Sequence, residues 1–215
     1  MHEDIAFRSA NWGQRVMQVL ADETIGCVGV IGSWFLPNRE ASWWLCHADV
    51  GTLTQGYTDK KGNYKTYTEG APLKQDIADV AVVDGCWFCI RKSLFDTIRF
   101  DEDTYDSFHC YDIDTCMQVL QTGKRVVVCN GIEVEHQSLG DVLTTYYEQL
   151  TRFYAKWEKQ LPLSRGIQLT PEVTSWVSDI IAGYQAVVRK NVRYEQANKA
   201  SILNRVKNWV KKCKK

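Results

Sequence analysis

Short apolar, β-branched runs recur through the first two thirds of the chain, and the segments beyond them carry acids and a histidine. Ile25–Ile31, Ile77–Val83 and Arg125–Cys129 have the length of buried strands rather than of helices. Such strands alternating with helical segments restrict the chain to an α/β fold, whose chemistry sits on loops past the strand ends. The residues at those ends are Asp84-Gly85, Phe100-Asp101-Glu102, His109-Cys110-Tyr111-Asp112-Ile113-Asp114 and Val134-Glu135-His136.

The remaining segments read as follows. Ser9 or Asn11 can cap a helix running to about Leu20, with Val16, Val19 and Leu20 inward. Ser42 to Cys46 reads as a second, aromatic strand, and Trp87 to Ile90 as extended chain. Residues 48–75 are rich in Gly, Thr, Tyr, Lys and Asp around the turn signal Asp59-Lys60-Lys61-Gly62-Asn63, which predicts a polar hairpin or mobile loop. Arg91 to Ile98 is expected as a short helix. Asp112 or Asp114 opens another, which Gly123 ends, and Ile132 to Glu135 follows as a strand. Past Gly140 the pattern is helical: Leu143 to Trp157, a helix from Thr170-Pro171 to Val188, and a last one carrying Ile202, Val206, Trp209 and Val210. Their apolar stripes are packing surfaces against the core or a partner subunit.

At 215 residues the chain fits one domain, or one domain with a helical appendage. Net charge is zero, but Arg205 to Lys215 holds six basic residues and no acid, so the body is mildly acidic and gives no reason to expect nucleic-acid binding. Eight cysteines, several in apolar stretches and with no secretory signal before them, indicate a reducing, cytosolic setting. Cys86-Trp87-Phe88-Cys89 has CxxC spacing, but a zinc site needs a second matching pair, and a redox motif needs a helix start where this segment reads as strand. The eight Trp and ten Tyr are mostly core, although flat rings also line sugar clefts.

In order and spacing, these acidic and histidine segments resemble the second half of the nucleotide-sugar-dependent glycosyltransferases of family 2, which share the GT-A fold. Met1-His2-Glu3-Asp4-Ile5 is similar to that fold's metal-binding DxD segment, in a variant form ending in Asp4. The resemblance covers roughly residues 1–160. It implies a GT-A-like mixed sheet flanked by helices over residues 1–140, with residues 141–215 as a helical extension and basic tail. It also implies that the N-terminal nucleotide-binding half is missing: the sequence is a truncated piece, or that half comes from elsewhere, or catalysis has been lost.

By the same resemblance Asp4 binds a divalent cation, Mn²⁺ or Mg²⁺, that bridges a diphosphate. His136 is a further metal ligand, and His2 could be one. Asp112 is the general base of an inverting transfer. Asp84, Gly85, Trp87 and Asp114 lie toward the acceptor. The implied partners are a nucleotide-diphosphate sugar donor and a glycan or other hydroxyl acceptor, in bacterial polysaccharide or glycan synthesis. A competing reading keeps the fold as a non-catalytic module binding glycan or protein. The basic tail, with Trp209 and Val210, suits contact with the inner face of an anionic membrane or a frayed terminus. The C-terminal helices suit a homo-oligomer.

Overall fold

The apolar runs do form strands, but two of them are divided between sheets. A computed structural model describes residues 1–138, 144–165, 170, 176 and 179–197. In chain order the elements are β1 (Ile5–Phe7), α1 (Trp12–Leu20), β2 (Ile25–Gly29), β3 (Ile31–Ser33), β4 (Phe35–Leu36), β5 (Asp49–Thr58), β6 (Tyr64–Ala71), β7 (Ile77–Asp79), β8 (Val82–Val83), β9 (Phe88–Ile90), α2 (Tyr111–Gln121), β10 (Arg125–Cys129), β11 (Val134–His136), α3 (Thr144–Trp157) and β12 (Leu163–Ser164). One sheet runs β1-β11-β5-β3-β8, with β6 also paired to β5; a second runs β7-β10-β2-β9; β12 and β4 form a small pair. Within them β10–β2 and β11–β5 are parallel and the other pairs antiparallel. The result is a curled mixed sheet with helices packed on it, a GT-A-like α/β fold.

Ile25–Ile31, expected as one strand, changes sheet at Val30: β2 pairs with β10, and β3 with β5 and β8. The crossing is tight. Gly51 of β5 has φ +85° and lies against the Val30 carbonyl, where a Cβ would stand 2.1 Å from the oxygen, so only glycine fits. Ile77–Val83 crosses at the same level, β7 joining β10 and β8 joining β3. Between them Val80 N–H donates to Val126 O in one sheet and Ala81 N–H to Ser33 O in the other. An apolar run reports burial but not which partner each half takes, so one sequence signal became two strands twice.

Two further expectations are corrected. Ser42–Cys46 is not a strand: Trp43–Cys46 is a 3₁₀ turn closed by His47 at φ +50°. Trp43 and Cys46 are buried while Trp44 is exposed, a three-residue period rather than alternation. Arg91–Ile98 is also only a 3₁₀ turn, Lys92–Asp96. The polar segment forms the β5–β6 hairpin, turned at Asp59, whose carboxylate accepts from Lys61 and Asn63 N–H.

In α2, Asp114 is almost wholly buried. Its carboxylate accepts from Tyr105 Oη at 3.0 Å, Trp157 Nε1 at 2.7 Å and Gln118 Nε2 at 2.7 Å, and pairs with Lys156 Nζ at 2.7 Å. Two of these partners lie on α3, so the cluster fastens α3 to α2. The α3 stripe of Tyr146, Leu150, Phe153 and Trp157 joins the common core. Residues 179–197 are helical. The start at Thr170-Pro171, the helix at residues 202–210 and the basic tail lie outside the described residues. Among those residues no helix is long and apolar enough to cross a membrane.

Asp114→Ala strands two buried donors and removes one of the two carboxylates paired with Lys156 Nζ. It is expected to lower unfolding free energy by about 3 kcal/mol or more, measured by urea titration, with Asp114→Asn losing less.

Candidate functional site

A cavity of about 410 Å³ opens where the first residues of the chain, the end of β11, the β5–β6 hairpin, the loop after β8 and the start of α2 meet. The pairing of β1 with β11 assembles one side. Ile5 stands opposite His136, and Gln137 N–H donates to Asp4 O at 2.8 Å. His2 is anchored by its own N–H, 2.8 Å from Cys86 O.

Three side chains converge there. His136 Nε2 is 3.3 Å from Asp4 Oδ1 and 3.3 Å from His2 Nδ1, which is 3.9 Å from Asp4 Oδ1. Their hydrogen bonds settle where the protons are. Tyr111 Oη donates to Gly85 O at 3.0 Å, so toward His2 Nε2, also at 3.0 Å, it can only accept. His2 therefore carries its proton on Nε2 and turns the Nδ1 lone pair inward. Gln55 Nε2 donates to Glu69 Oε1 at 2.6 Å, which leaves Gln55 Oε1 to accept from His136 Nδ1–H at 3.0 Å. His136 thus turns its Nε2 lone pair inward as well. Burial, and then the neighbouring His136, lower the His2 pKa and favour the neutral ring.

Two imidazole lone pairs and a carboxylate oxygen aimed at one point repel unless a proton or a metal cation lies among them. Outer hydrogen bonds that fix the tautomers are the usual surroundings of a metal-binding histidine. Among the described residues this is the group of His, Cys, Asp or Glu able to hold a metal ion. The donor set, two nitrogens and one carboxylate oxygen, fits a divalent transition ion, and the geometry brings His2 in beside Asp4 and His136.

Asp112, Asp84 and Gly85 line the same cavity. Asp112 opens α2 after Cys110, which takes the left-handed φ of +68°. Desolvation, and then the charge of Asp84, push the Asp112 pKa up to about 7, against backbone N–H groups that favour the ionised form. Gly85 permits the approach: a Cβ there would meet Tyr111 Oη at 2.6 Å and Asp112 Oδ2 at 3.1 Å. Asp84 Oδ1 accepts from Cys86 N–H at 2.8 Å, which holds the turn.

Asp114 and Trp87 do not reach the cavity. Asp114 is spent on α3, as described above, and Trp87 is buried edge-on to Phe7 and Trp12. Cys86 and Cys89 are free thiols, raised in pKa first by burial. Sequence reasoning missed Gln55, Glu69 and the tyrosine hydroxyl of Tyr111, because they are placed by hairpin register and by a contact spanning 109 residues. It also missed the rings of Trp43, Trp44, Phe108, His109 and Tyr146 in the lining, for which the aromatic surplus was the one signal.

Residues 1–157 match the glycosyltransferase-like family. The chain is also 24% identical over 140 residues to the streptomycin biosynthesis protein StrF of Streptomyces griseus, an alignment covering 65% of this chain and 45% of that protein. The chain therefore spans less than half of the curated relative it matches.

Gln55→Leu removes the acceptor that orients His136. It is expected to weaken Mn²⁺ binding about tenfold or more, read by isothermal calorimetry on the purified protein.

Proposed function

The chain belongs to the glycosyltransferase-like family, and on that premise we propose that it transfers a sugar from a nucleotide-diphosphate sugar to a hydroxyl acceptor, with inversion and with a divalent cation at His2, Asp4 and His136. The observation that carries this reading is the pairing of two unlike sites at one cavity: a group of two imidazoles and a carboxylate with converging ligand atoms, and Asp112 with a pKa raised to about 7.

Asp112 serves as general base. Its carboxylate takes the acceptor hydroxyl proton as the oxygen attacks the anomeric carbon from the face opposite the diphosphate. A carboxyl with a pKa near 7 is a far stronger base than an ordinary aspartate, yet is still ionised in much of the population at neutral pH. Asp84 sustains that basicity by its charge, and the Gly85 turn leaves room for the acceptor beside Asp112. When bound, the cation supplies charge neutralisation for the leaving diphosphate. His2 and Asp4 hold their place through β1 and the Cys86 carbonyl, and Tyr111 keeps His2 in the tautomer that presents Nδ1. The setting proposed is assembly of a glycan or glycoside from cytoplasmic donors, Mn²⁺ being favoured over Mg²⁺ by the imidazoles. A membrane-facing tail and association through the C-terminal helices remain proposals from sequence.

The test is Asp112→Asn, assayed for donor turnover with Mn²⁺. Turnover is expected to fall by at least ~100-fold while Mn²⁺ binding persists. Turnover unaffected by the substitution would overturn the assignment, and no turnover in the parent chain would favour a non-catalytic binding module. The parent rate is expected to rise with pH through about 7 and then level off, because the base must be ionised.

Stability runs the other way. A carboxyl whose folded pKa is raised favours the fold while protonated, and that contribution is lost as pH rises from its ordinary range through about 7. At pH 8 in EDTA, Asp112→Asn is therefore expected to melt higher than the parent protein by calorimetry, with the difference vanishing near pH 4.

A further inference from the structure

The charge and the rings of the cavity describe an acceptor more narrowly than a hydroxyl compound. Resting on the transferase reading above, we propose that Trp43, Trp44, Tyr146, Asp49 and Glu69 form an acceptor subsite for a polyhydroxylated ring carrying a protonated amine, that is, an amino sugar.

The rings form a continuous arc. His2 stands 5.2 Å from Phe108 between centroids, Phe108 5.7 Å from His109, His109 5.3 Å from Tyr146, Tyr146 5.3 Å from Trp44, and Trp44 5.6 Å from Trp43. All six line the cavity. One end of the arc is therefore the cation group and the other is the tryptophan pair. Trp44 and Phe108 remain exposed, at 37% and 65%, which leaves part of each ring accessible to a ligand. Flat rings take the C–H faces of sugars, and they also attract a cation.

Opposite the arc the charge is one-sided. Among the described residues the lining contains Asp49, Glu69, Asp84 and Asp112, and no lysine or arginine. A diphosphate is matched by a divalent cation at His2, Asp4 and His136, and Asp112 is given to the proton transfer. Among the described lining residues Asp49 and Glu69 are then left with no basic side chain facing them. Asp49 Oδ1 is buried and has no hydrogen-bond partner among the described residues. Burial is the main cause that raises the Asp49 pKa; nearby His47 acts the other way, but it is exposed and outside the lining. Glu69 gives one oxygen to Gln55 and opposes ionisation of Asp49, so the two acids share a neighbourhood that a cation would relieve.

Asp49 and the tryptophan pair mark the end of the cavity away from the cation group: Asp49 lies six residues along β5 from Gln55, which contacts His136, a span of at most roughly 20 Å in extended strand, and Glu69, bonded to Gln55, links the two ends. An amine read there belongs to the acceptor and not to the sugar being transferred. The same one-sided charge disfavours an acceptor with a carboxylate or phosphate, which would meet acids with no basic side chain to offset them.

The experiment titrates the parent protein in EDTA with glucosamine, N-acetylglucosamine, methyl glucoside and glucuronic acid, following tryptophan fluorescence and calorimetric heat. Glucosamine is expected to bind tightest, at least ~10-fold tighter than its N-acetyl and neutral counterparts, with glucuronic acid weakest. Asp49→Asn is expected to erase the amine preference, bringing glucosamine to the affinity of N-acetylglucosamine, while Trp44→Ala weakens all sugars alike. Equal or tighter binding of the neutral or acidic sugar, or no binding of any probe, would overturn the subsite; the parent panel decides this even where a variant does not fold. Because no turnover is needed, amine selectivity without transfer would remove the transferase reading and keep this site. Transfer without amine selectivity would do the reverse.

Discussion

The pairing of β1 with β11 is the contact on which the site depends. Two three-residue strands from distant parts of the chain lie antiparallel, and the register that sets Ile5 opposite His136 also brings Asp4 and His2 to the same corner. β11 then runs parallel to β5, His136 opposite Gln55, which delivers the amide that orients the imidazole. A one-residue slip in either ladder would turn His136 to the opposite face. Glu135, on the other face of β11, accepts from Arg8 and from Tyr64 and so ties the hairpin to the same strands.

The two acids of α2 divide the labour of the helix. Asp112 and Asp114 are two residues apart, which on an α-helix is about 200° of rotation. One therefore faces the cavity and the other the core. Asp112 lies in a place that resists its charge. Asp114 meets enough donors to be held as a buried carboxylate, and through Trp157 and Lys156 it keeps α3 in position behind the helix. The catalytic candidate is uncomfortable and its neighbour is satisfied, and the satisfied one keeps the helix that carries both from moving.

That division was legible in the sequence, since the spacing alone puts the two residues on opposite faces, yet both were read toward the substrate. The strand at Arg125–Cys129, the helix after Asp112 with Gly123 beyond it and the polar hairpin were also legible, because length, periodicity and turn residues are local signals. The sheet changes at Val30 and between β7 and β8 were not, because apolar runs of this kind look alike whichever sheet receives them. Asp4, His136, Asp84 and Asp112 could be named from motif order, and the structure places Asp84, Asp112 and His136 on one cavity with Asp4 beside His136. Gln55, Glu69 and the ring arc depend on register and on long-range packing, which motif order does not contain.

The crossing at Val30 bears on how the cavity can move. β2 and β3 are one unbroken stretch of backbone shared by both sheets, and Gly51 sits directly against the carbonyl at the junction. The second run, from β7 to β8, fastens the sheets again at the same level. Two such splices leave neither a hinge nor a sliding plane between the layers, because either motion would break ladder bonds on both sides at once. The wall built on β5 is therefore expected to keep its spacing when a ligand binds, while the loop that carries Phe108 belongs to neither sheet and is the part of the rim expected to adapt.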